Sequence, residues 1–220
     1  TPIAINKTGV GTLRIENQNT ATGAISVTGG ALIVNGSVTP AITVGGSSTL
    51  GGAGFIGSAN LTGASSSSRA VLSPGHETTG TLSASGTVTL GPDSLYRWEI
   101  DSLSPASGSF DKLTAQTLAL TSTAARPLVI AIVPTAALAA SPAAVFPIAV
   151  ATSLTGFSTA AVTVDASAFP AELGTWAVRE TGETLELVFT PAGFAGWICR
   201  ENRRSIRRNR CRKPAASSPA

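Results

Sequence analysis

Four carboxylates lie close together in the middle of the chain: Asp93, Glu99, Asp101 and Asp111. Two carboxylates that face a groove can hydrolyse a glycosidic bond, one as general acid and the other as base or nucleophile. Tyr96 and Trp98 stand two residues apart, so a strand would place both rings on one face, where exposed rings could stack on sugars. The candidate glycan-contact residues are therefore Tyr96, Trp98, Glu99 and Asp101.

The same segment also fits a purely structural role. Glu99 and Asp101 alternate with apolar residues, as the solvent-facing residues of a half-buried strand do. Buried rings at Tyr96 and Trp98 would instead close the end of a hydrophobic core. The structural interpretation is favoured, and the nonapeptide repeat of calcium-binding β-helices is absent from the sequence.

Two other patterns lack the partners that their chemistry needs. His76 is the single histidine, and no Gly-x-Ser-x-Gly segment offers it a nucleophile, so we expect a solvated turn histidine. Gly52, Gly54 and Gly57 have the spacing of a dinucleotide-binding fingerprint, but SANLTGASSSS follows them, which is not a helix. We expect these glycines at corners of the fold. The sequence predicts no catalytic, cofactor-binding or metal-ligating residue.

The charge distribution separates an acidic body from a basic tail. Before Arg200 the chain has 7 Lys and Arg against 11 Asp and Glu, and from Arg200 onward it has 8 against 1. The tail could bind a polyanion through Arg203, Arg204, Arg207, Arg208, Arg210, Arg212 and Lys213. It also fits a disordered, solvated terminus or an out-of-frame reading of a GC-rich gene. The acidic body argues against specific nucleic-acid binding.

Short β-strands are the elements that must position these residues. Over residues 3–125, short apolar–polar runs are separated by Gly-Gly, Asn-Gly, Pro-Gly or Gly-Pro turns, and glycine is too frequent for helices. Small aliphatic side chains suit the narrow core of stacked coils, with a β-sandwich as the alternative. Residues 127–150 are apolar but interrupted by prolines, which favours buried strands over a membrane helix. Residues 173–191 have the pattern of a hairpin.

A family resemblance rests on the order of three phrases within residues 6–36. These are KTGVGTL (7–13), TG (22–23) and GGAL (29–32). Together they resemble the autotransporter-associated β-strand repeat, also called the passenger-associated transport repeat, with Ala21 where that family often has tyrosine. The resemblance continues more loosely to residue 190. It implies a parallel β-helix in a secreted or surface-displayed bacterial protein, where it serves as stalk, adhesive surface or transport-supporting segment.

We therefore predict an all-β fold, specifically a right-handed parallel β-helix. Solenoid repeats are expected over residues 1–125, further coils and a hairpin over 126–191, and a disordered basic tail over 192–220. No transmembrane segment is expected, and the chain is expected to be cut from a longer solenoid.

The predicted function is that of a non-enzymatic structural or adhesive segment without a cofactor. It is expected outside the cell or at its surface, associated with the outer membrane through parts not in this chain. The expected partners are surface glycans, host matrix components and neighbouring coils of a longer chain. The alternatives are a carbohydrate-binding or carbohydrate-active β-helix, and polyanion binding through the tail.

Overall fold

The secondary structure is entirely β-strand in the part of the chain that the computed structural model describes, residues 2–105, 108–193, 198–199 and 211–212. In chain order the strands are β1 (Ile5–Lys7), β2 (Thr12–Ile15), β3 (Ile25–Val27), β4 (Gly30–Val34), β5 (Ser37–Val38), β6 (Ile42–Val44), β7 (Ser48–Gly52), β8 (Phe55–Ile56), β9 (Ala59–Leu61), β10 (Ala70–Pro74), β11 (Thr81–Leu90), β12 (Ser94–Ile100), β13 (Lys112–Leu120), β14 (Leu128–Pro134), β15 (Ala144–Thr155), β16 (Val162–Asp165), β17 (Gly174–Thr181), β18 (Thr184–Pro191), β19 (Ile198–Cys199) and β20 (Cys211–Arg212).

Two sheets contain almost all of these strands. Sheet A has the order β1-β3-β6-β9-β11-β13-β15-β18-β17, with β5 paired to β8 and β8 to β11. Sheet B has the order β2-β4-β7-β10-β12-β14-β16, and β19 pairs with β20 apart from both sheets. The chain passes repeatedly from sheet A to sheet B, so each coil adds a strand to both sheets.

The pairing within both sheets is parallel from the first coil to the seventh. Ile25, for example, faces Ile42 of the next coil, and Ile42 faces Ala59 of the coil after that. This arrangement is compatible with a β-helix or solenoid, and the all-β prediction is confirmed. A sandwich built from hairpins would instead pair consecutive strands antiparallel.

Inward-facing side chains form one core whose character changes along the molecule. In the first coils it consists of small aliphatic residues, among them Ile25, Val27, Leu32, Val34, Ile42, Val44, Leu50, Leu61 and Leu72. Burial of one such side chain stabilises the fold by about 1.5–3 kcal/mol. Towards the C-terminal coils the core contains the mutually packed rings of Trp98, Phe110, Phe146, Phe169, Trp176 and Phe189.

A hairpin lies at the C-terminal edge of sheet A, within residues 173–191 where the sequence predicts one. β17 and β18 pair antiparallel through a turn at Gly182, whose φ is +56°. β18 then pairs antiparallel with β15. This hairpin covers an edge that would otherwise present unpaired amides and carbonyls.

A buried lysine ends the first strand of sheet A. Lys7 occupies the position of β1 that pairs with core residue Val27 of β3, and it is buried. Its Nζ donates hydrogen bonds to the carbonyl oxygens of Thr8, Gly9 and Gly29, at 3.0, 2.8 and 2.7 Å. These hydrogen bonds satisfy the ammonium group of Lys7 and connect the turn after β1 to the turn after β3.

The proline-interrupted apolar stretch 127–150 supplies β14 and the first half of β15. Most of its inward residues are buried, including Leu128, Ile130, Ile132 and Phe146. No helix among the described residues is long and apolar enough to cross a membrane.

Candidate functional site

The two aromatic residues of β12 are core residues. Tyr96 and Trp98 are both 0% exposed. Tyr96 Oη donates to the carbonyl oxygen of Ile148 at 2.7 Å, and Trp98 Nε1 donates to that of Asp111 at 2.8 Å. Because both rings are enclosed and their polar atoms are satisfied, neither offers a face on which a sugar could stack.

Glu99 differs from its sequence-based interpretation as a solvent-facing residue. Alternation does direct it to the outer face of sheet B, yet the residue is 0% exposed, because a loop covers it. Asp101, at the end of the same strand, is half-buried and accepts hydrogen bonds from the hydroxyls of Thr79 and Thr135. The two acids therefore do not line an open groove.

The loop that covers Glu99 is the segment 75–80 between β10 and β11, here called the flap. Gly75, His76 and Glu77 have φ values of +76°, +53° and +72°. Two adjacent non-glycine residues in the left-handed region are uncommon and mark a strained backbone. His76 does lie in a turn, but its side chain is only 16% exposed, so the prediction of a solvated histidine is wrong.

The flap folds back onto sheet B because a gap in the outer face admits it. A Cβ added to Gly51 would come within 3.0 Å of the His76 Cβ, so only a glycine leaves room there. Ser73, which pairs with Gly51, is fully buried on the same face. At the far side of the flap, Glu77 makes an ion pair of 3.7 Å with exposed Arg14 of β2.

Asp111 joins the flap to β12 through hydrogen bonds to both segments. Its Oδ1 accepts a hydrogen bond from the Gly80 amide at 2.9 Å, and its Oδ2 accepts one from the Glu99 amide at 3.0 Å. The residue is 0% exposed. One buried carboxyl group thus connects two segments that approach each other only in the folded protein.

Burial dominates the electrostatics of this acid pair. Burial raises the pKa of the Asp111 carboxyl to about 8, because it outweighs the two amide hydrogen bonds that favour the charged form. Burial also raises the pKa of Glu99, although Arg97 Nη1 lies 2.7 Å from its Oε1. That contact is an ion pair without a well-directed hydrogen bond, and the backbone of Glu77 in the flap also favours the charged form of Glu99. Burial lowers the pKa of His76, whose Nδ1 is buried without a partner.

Asp111, with its pKa raised to about 8, can hold or release a proton near neutral pH, and raised carboxyl pKa values are a feature of many functional sites. No group of three or more His, Cys, Asp or Glu side chains within the described ranges could hold a metal ion.

Asp93, the fourth acid of the cluster, lies at a corner away from the flap. It is 3% exposed and has a φ of +52°. Arg126 Nε lies 2.6 Å from its Oδ2, and Arg69 Nη1 lies 3.9 Å from its Oδ1. Arg126 Nη2 also donates to the Gly63 carbonyl at 2.8 Å. This cluster ties successive coils together at one corner.

The fingerprint glycines lie where neighbouring coils come closest. A Cβ at Gly52, Gly54 or Gly57 would lie 2.0–2.2 Å from a backbone oxygen of the preceding coil. The glycine spacing therefore reflects the stacking of one coil on the next.

The outer faces of the two sheets differ in a way that the sequence analysis did not identify. On sheet A, an in-register row crosses the sheet with one residue per coil: Asn6, Ser26, Thr43, Asn60, Thr89, Ala119 and Thr155. We call this row the polar ladder. On sheet B the corresponding row is Thr12, Ala31, Thr49, Val71, Leu95, Val129 and Thr163. Strand alternation predicts such rows once the register between coils is known, which requires the fold.

The basic residues proposed for polyanion contact cannot be placed. Arg203, Arg204, Arg207, Arg208, Arg210 and Lys213 lie outside the described residues, and only the backbone of Arg212 is described, in β20.

No protein-family model matches the chain, and no curated protein matches it.

Proposed function

We propose that this chain is a non-enzymatic display module, a right-handed parallel β-helix of the autotransporter-associated repeat type. It is held outside a bacterial cell as a structural or adhesive segment. The observation that supports the proposal most is the polar ladder, an uncharged row repeated from coil to coil. The right hand is supported by the strong preference of parallel crossover connections for that hand.

The polar ladder suits adhesion through many weak contacts. Its amides and hydroxyls recur about every 4.8 Å along the sheet, the spacing of neighbouring strands. One hydrogen bond contributes only about 0.5–1.5 kcal/mol net, so binding to a glycan or matrix surface depends on several coils acting together. The enclosure of Glu99 and Asp111 supports a non-enzymatic role, since neither carboxyl group meets solvent.

The test compares two triple variants of the full chain that carry the same introduced charges. Thr43→Glu, Asn60→Lys and Thr89→Glu change the ladder, with opposite charges on adjacent coils to limit repulsion. The matched control introduces the same charges at exposed loop residues, as Ser65→Glu, Ser66→Lys and Ser67→Glu. Beads carrying each protein are measured for retention on glycan-coated and matrix-protein-coated surfaces.

The ladder variant is expected to lose retention severalfold while the loop variant behaves as the wild type. Circular dichroism of both variants checks that the fold is retained. Equal retention of the two variants, or no retention of the wild type on any surface, contradicts the adhesive proposal.

A further inference from the structure

We propose that the ring of Phe55 is an aromatic platform on which a sugar ring of a neutral glycan stacks, on the same face of sheet A that carries the polar ladder. This role rests on the proposed adhesive function and deepens it. It narrows the ligand to one class and assigns the strongest single contact to one side chain.

Phe55 is exposed where the fold buries most large apolar side chains. Among the residues that the structure describes, it is the one large apolar side chain on a strand that is mostly exposed, at 65%. The next residue, Ile56, is 2% exposed and faces the core. Strand alternation therefore places the Phe55 ring on the outer face of sheet A, where its apolar surface meets water.

Hydroxyl side chains flank the ring on both sides. Phe55 of β8 pairs in register with Ser37 of β5 and with Ser83 of β11. Ser83 pairs in turn with Thr114 of β13, whose Oγ1 donates to Ser83 Oγ at 3.0 Å. We call these four residues the Phe55 row. A sugar ring has C–H groups on its faces and hydroxyls around its edge, so an aromatic ring between hydroxyl groups matches both.

The backbone that carries the ring is fixed by the preceding coil. The Phe55 amide donates to the Gly36 carbonyl oxygen at 2.9 Å, and a Cβ at Gly54 would lie 2.2 Å from that same oxygen. Two residues before the ring, the Ala53 amide donates to Asn35 Oδ1 at 3.2 Å. A contact residue whose backbone is already held loses little conformational freedom when a ligand binds, which favours affinity.

The charges near the ring give an anionic ligand no advantage. At the corner that leads into β8, Asn35 Nδ2 donates to both carboxylate oxygens of exposed Glu16, at 3.2 and 3.0 Å. Lys112 of β13, two residues before Thr114, has the opposite charge. The chain before Arg200 has 7 Lys and Arg against 11 Asp and Glu, so it repels polyanions overall. A neutral glycan is therefore the ligand class that fits this surface.

Further hydroxyl residues connect the Phe55 row to the polar ladder. β11 contributes Ser83 to the row and Thr89 to the ladder, six residues and about 20 Å apart at the usual rise of a parallel strand. Between them, Thr87 pairs in register with Thr117 of β13. A glycan stacked on Phe55 thus meets hydroxyl groups along its way across sheet A towards the ladder.

The test is NMR titration of the full chain, with labelled phenylalanine, by three soluble hexasaccharides. Cellohexaose and chitohexaose are the neutral probes, and a heparin hexasaccharide is the anionic probe. The Phe55 ring signal is identified as the one that is missing from Phe55→Ser. The neutral probes are expected to shift this signal, and the heparin probe is expected to leave it unchanged.

Three variants separate stacking from general apolar adhesion. Phe55→Ser extends the serines of the row and should weaken binding of the neutral probes by about tenfold, the loss expected for one aromatic contact. Phe55→Trp keeps an aromatic ring and should bind as the wild type does. Val10→Ser is the matched control, because Val10 is a fully exposed apolar residue in the turn between β1 and β2. It should leave binding unchanged.

The outcomes distinguish the platform from the adhesive function on which it rests. Binding of the neutral probes that is equal in Phe55→Ser and the wild type, or a Phe55 signal that neither neutral probe shifts, overturns the platform, even if the ladder variant loses retention on coated surfaces. Tighter binding of the heparin hexasaccharide than of both neutral probes overturns the ligand class. Binding that depends on Phe55 while the ladder variant keeps full retention supports the platform and contradicts the role of the ladder.

Discussion

Asp93 and Asp111 are both buried carboxyl residues in neighbouring coils, yet their surroundings are opposite. Asp93 lies between two guanidinium groups, at 2.6 and 3.9 Å. Asp111 has only two backbone amides within hydrogen-bond distance, and burial raises its pKa to about 8. The same residue type thus forms an ion pair at one place and is a carboxyl group with a raised pKa at the other. The nearest cation decides which of the two it becomes.

The largest effect is expected from Asp93→Ala, which should destabilise the protein by about 3 kcal/mol. The substitution leaves Arg126 and Arg69 without their counter-charge, and breaking a buried pair costs about 3–5 kcal/mol. Arg126 is 45% exposed and regains water, which reduces the loss, while alanine at a φ of +52° adds about 1 kcal/mol of strain. Urea unfolding at pH 7 measures the change.

Asp93→Asn is the matched control for the same site. Asparagine tolerates the left-handed conformation and keeps the shape of the side chain, so only the charge is lost. A smaller loss for Asn than for Ala is expected. If the Ala and Asn variants both lose little free energy of unfolding, the ion pair of Asp93 does not stabilise the corner.

The next effect is a decline of stability with rising pH that Asp111→Asn removes. Because the folded protein favours protonated Asp111, wild-type stability should fall between about pH 4 and 8, by on the order of 2 kcal/mol. At 1.36 kcal/mol per pKa unit the whole shift from 3.8 to about 8 sets an upper bound of about 6 kcal/mol, and relaxation of the protein around the ionised group makes the observed change smaller. Urea midpoints from pH 4 to 9 should be flatter in the variant. A wild-type profile that rises across this range would contradict the raised pKa.

A smaller effect is the coupling between Asp93 and Arg126. The double-mutant cycle of Asp93→Asn and Arg126→Met should give about 1 kcal/mol, between the values for exposed and buried ion pairs. The same cycle with Asp93→Asn and Arg69→Met should give less, since Arg69 lies 3.9 Å away. Equal coupling energies would show that distance to Asp93 is not the deciding factor.

The smallest effect is expected from Glu77→Gln. At pH 6 the free energy of unfolding should fall by less than about 0.5 kcal/mol, because the ion pair with Arg14 that is lost is exposed. At pH 9 the variant should be slightly more stable than the wild type, since one charge facing Glu99 is gone. Paired urea titrations at the two pH values measure this change of sign.

Much of the fold could be predicted from residue patterns. The interpretation of Tyr96 and Trp98 as core residues is confirmed, and period-two alternation also accounts for the burial of Val27 and Val44. The same alternation assigned Glu99 to the outer face, but it could not indicate that the flap covers that face. Burial there depends on His76 lying over Gly51, and no local pattern encodes that contact.

The sequence by itself determined which side chains point inward and where glycines permit coils to approach, because both depend on local backbone geometry and side-chain size. Only the tertiary structure decided which groups surround each charged side chain. Stacking brings Arg126 to Asp93 across 33 residues and the Gly80 amide to Asp111 across 31. Desolvation and Coulomb interactions depend on distances in space. Whether a carboxyl group forms an ion pair or has a raised pKa therefore depends on how the coils stack.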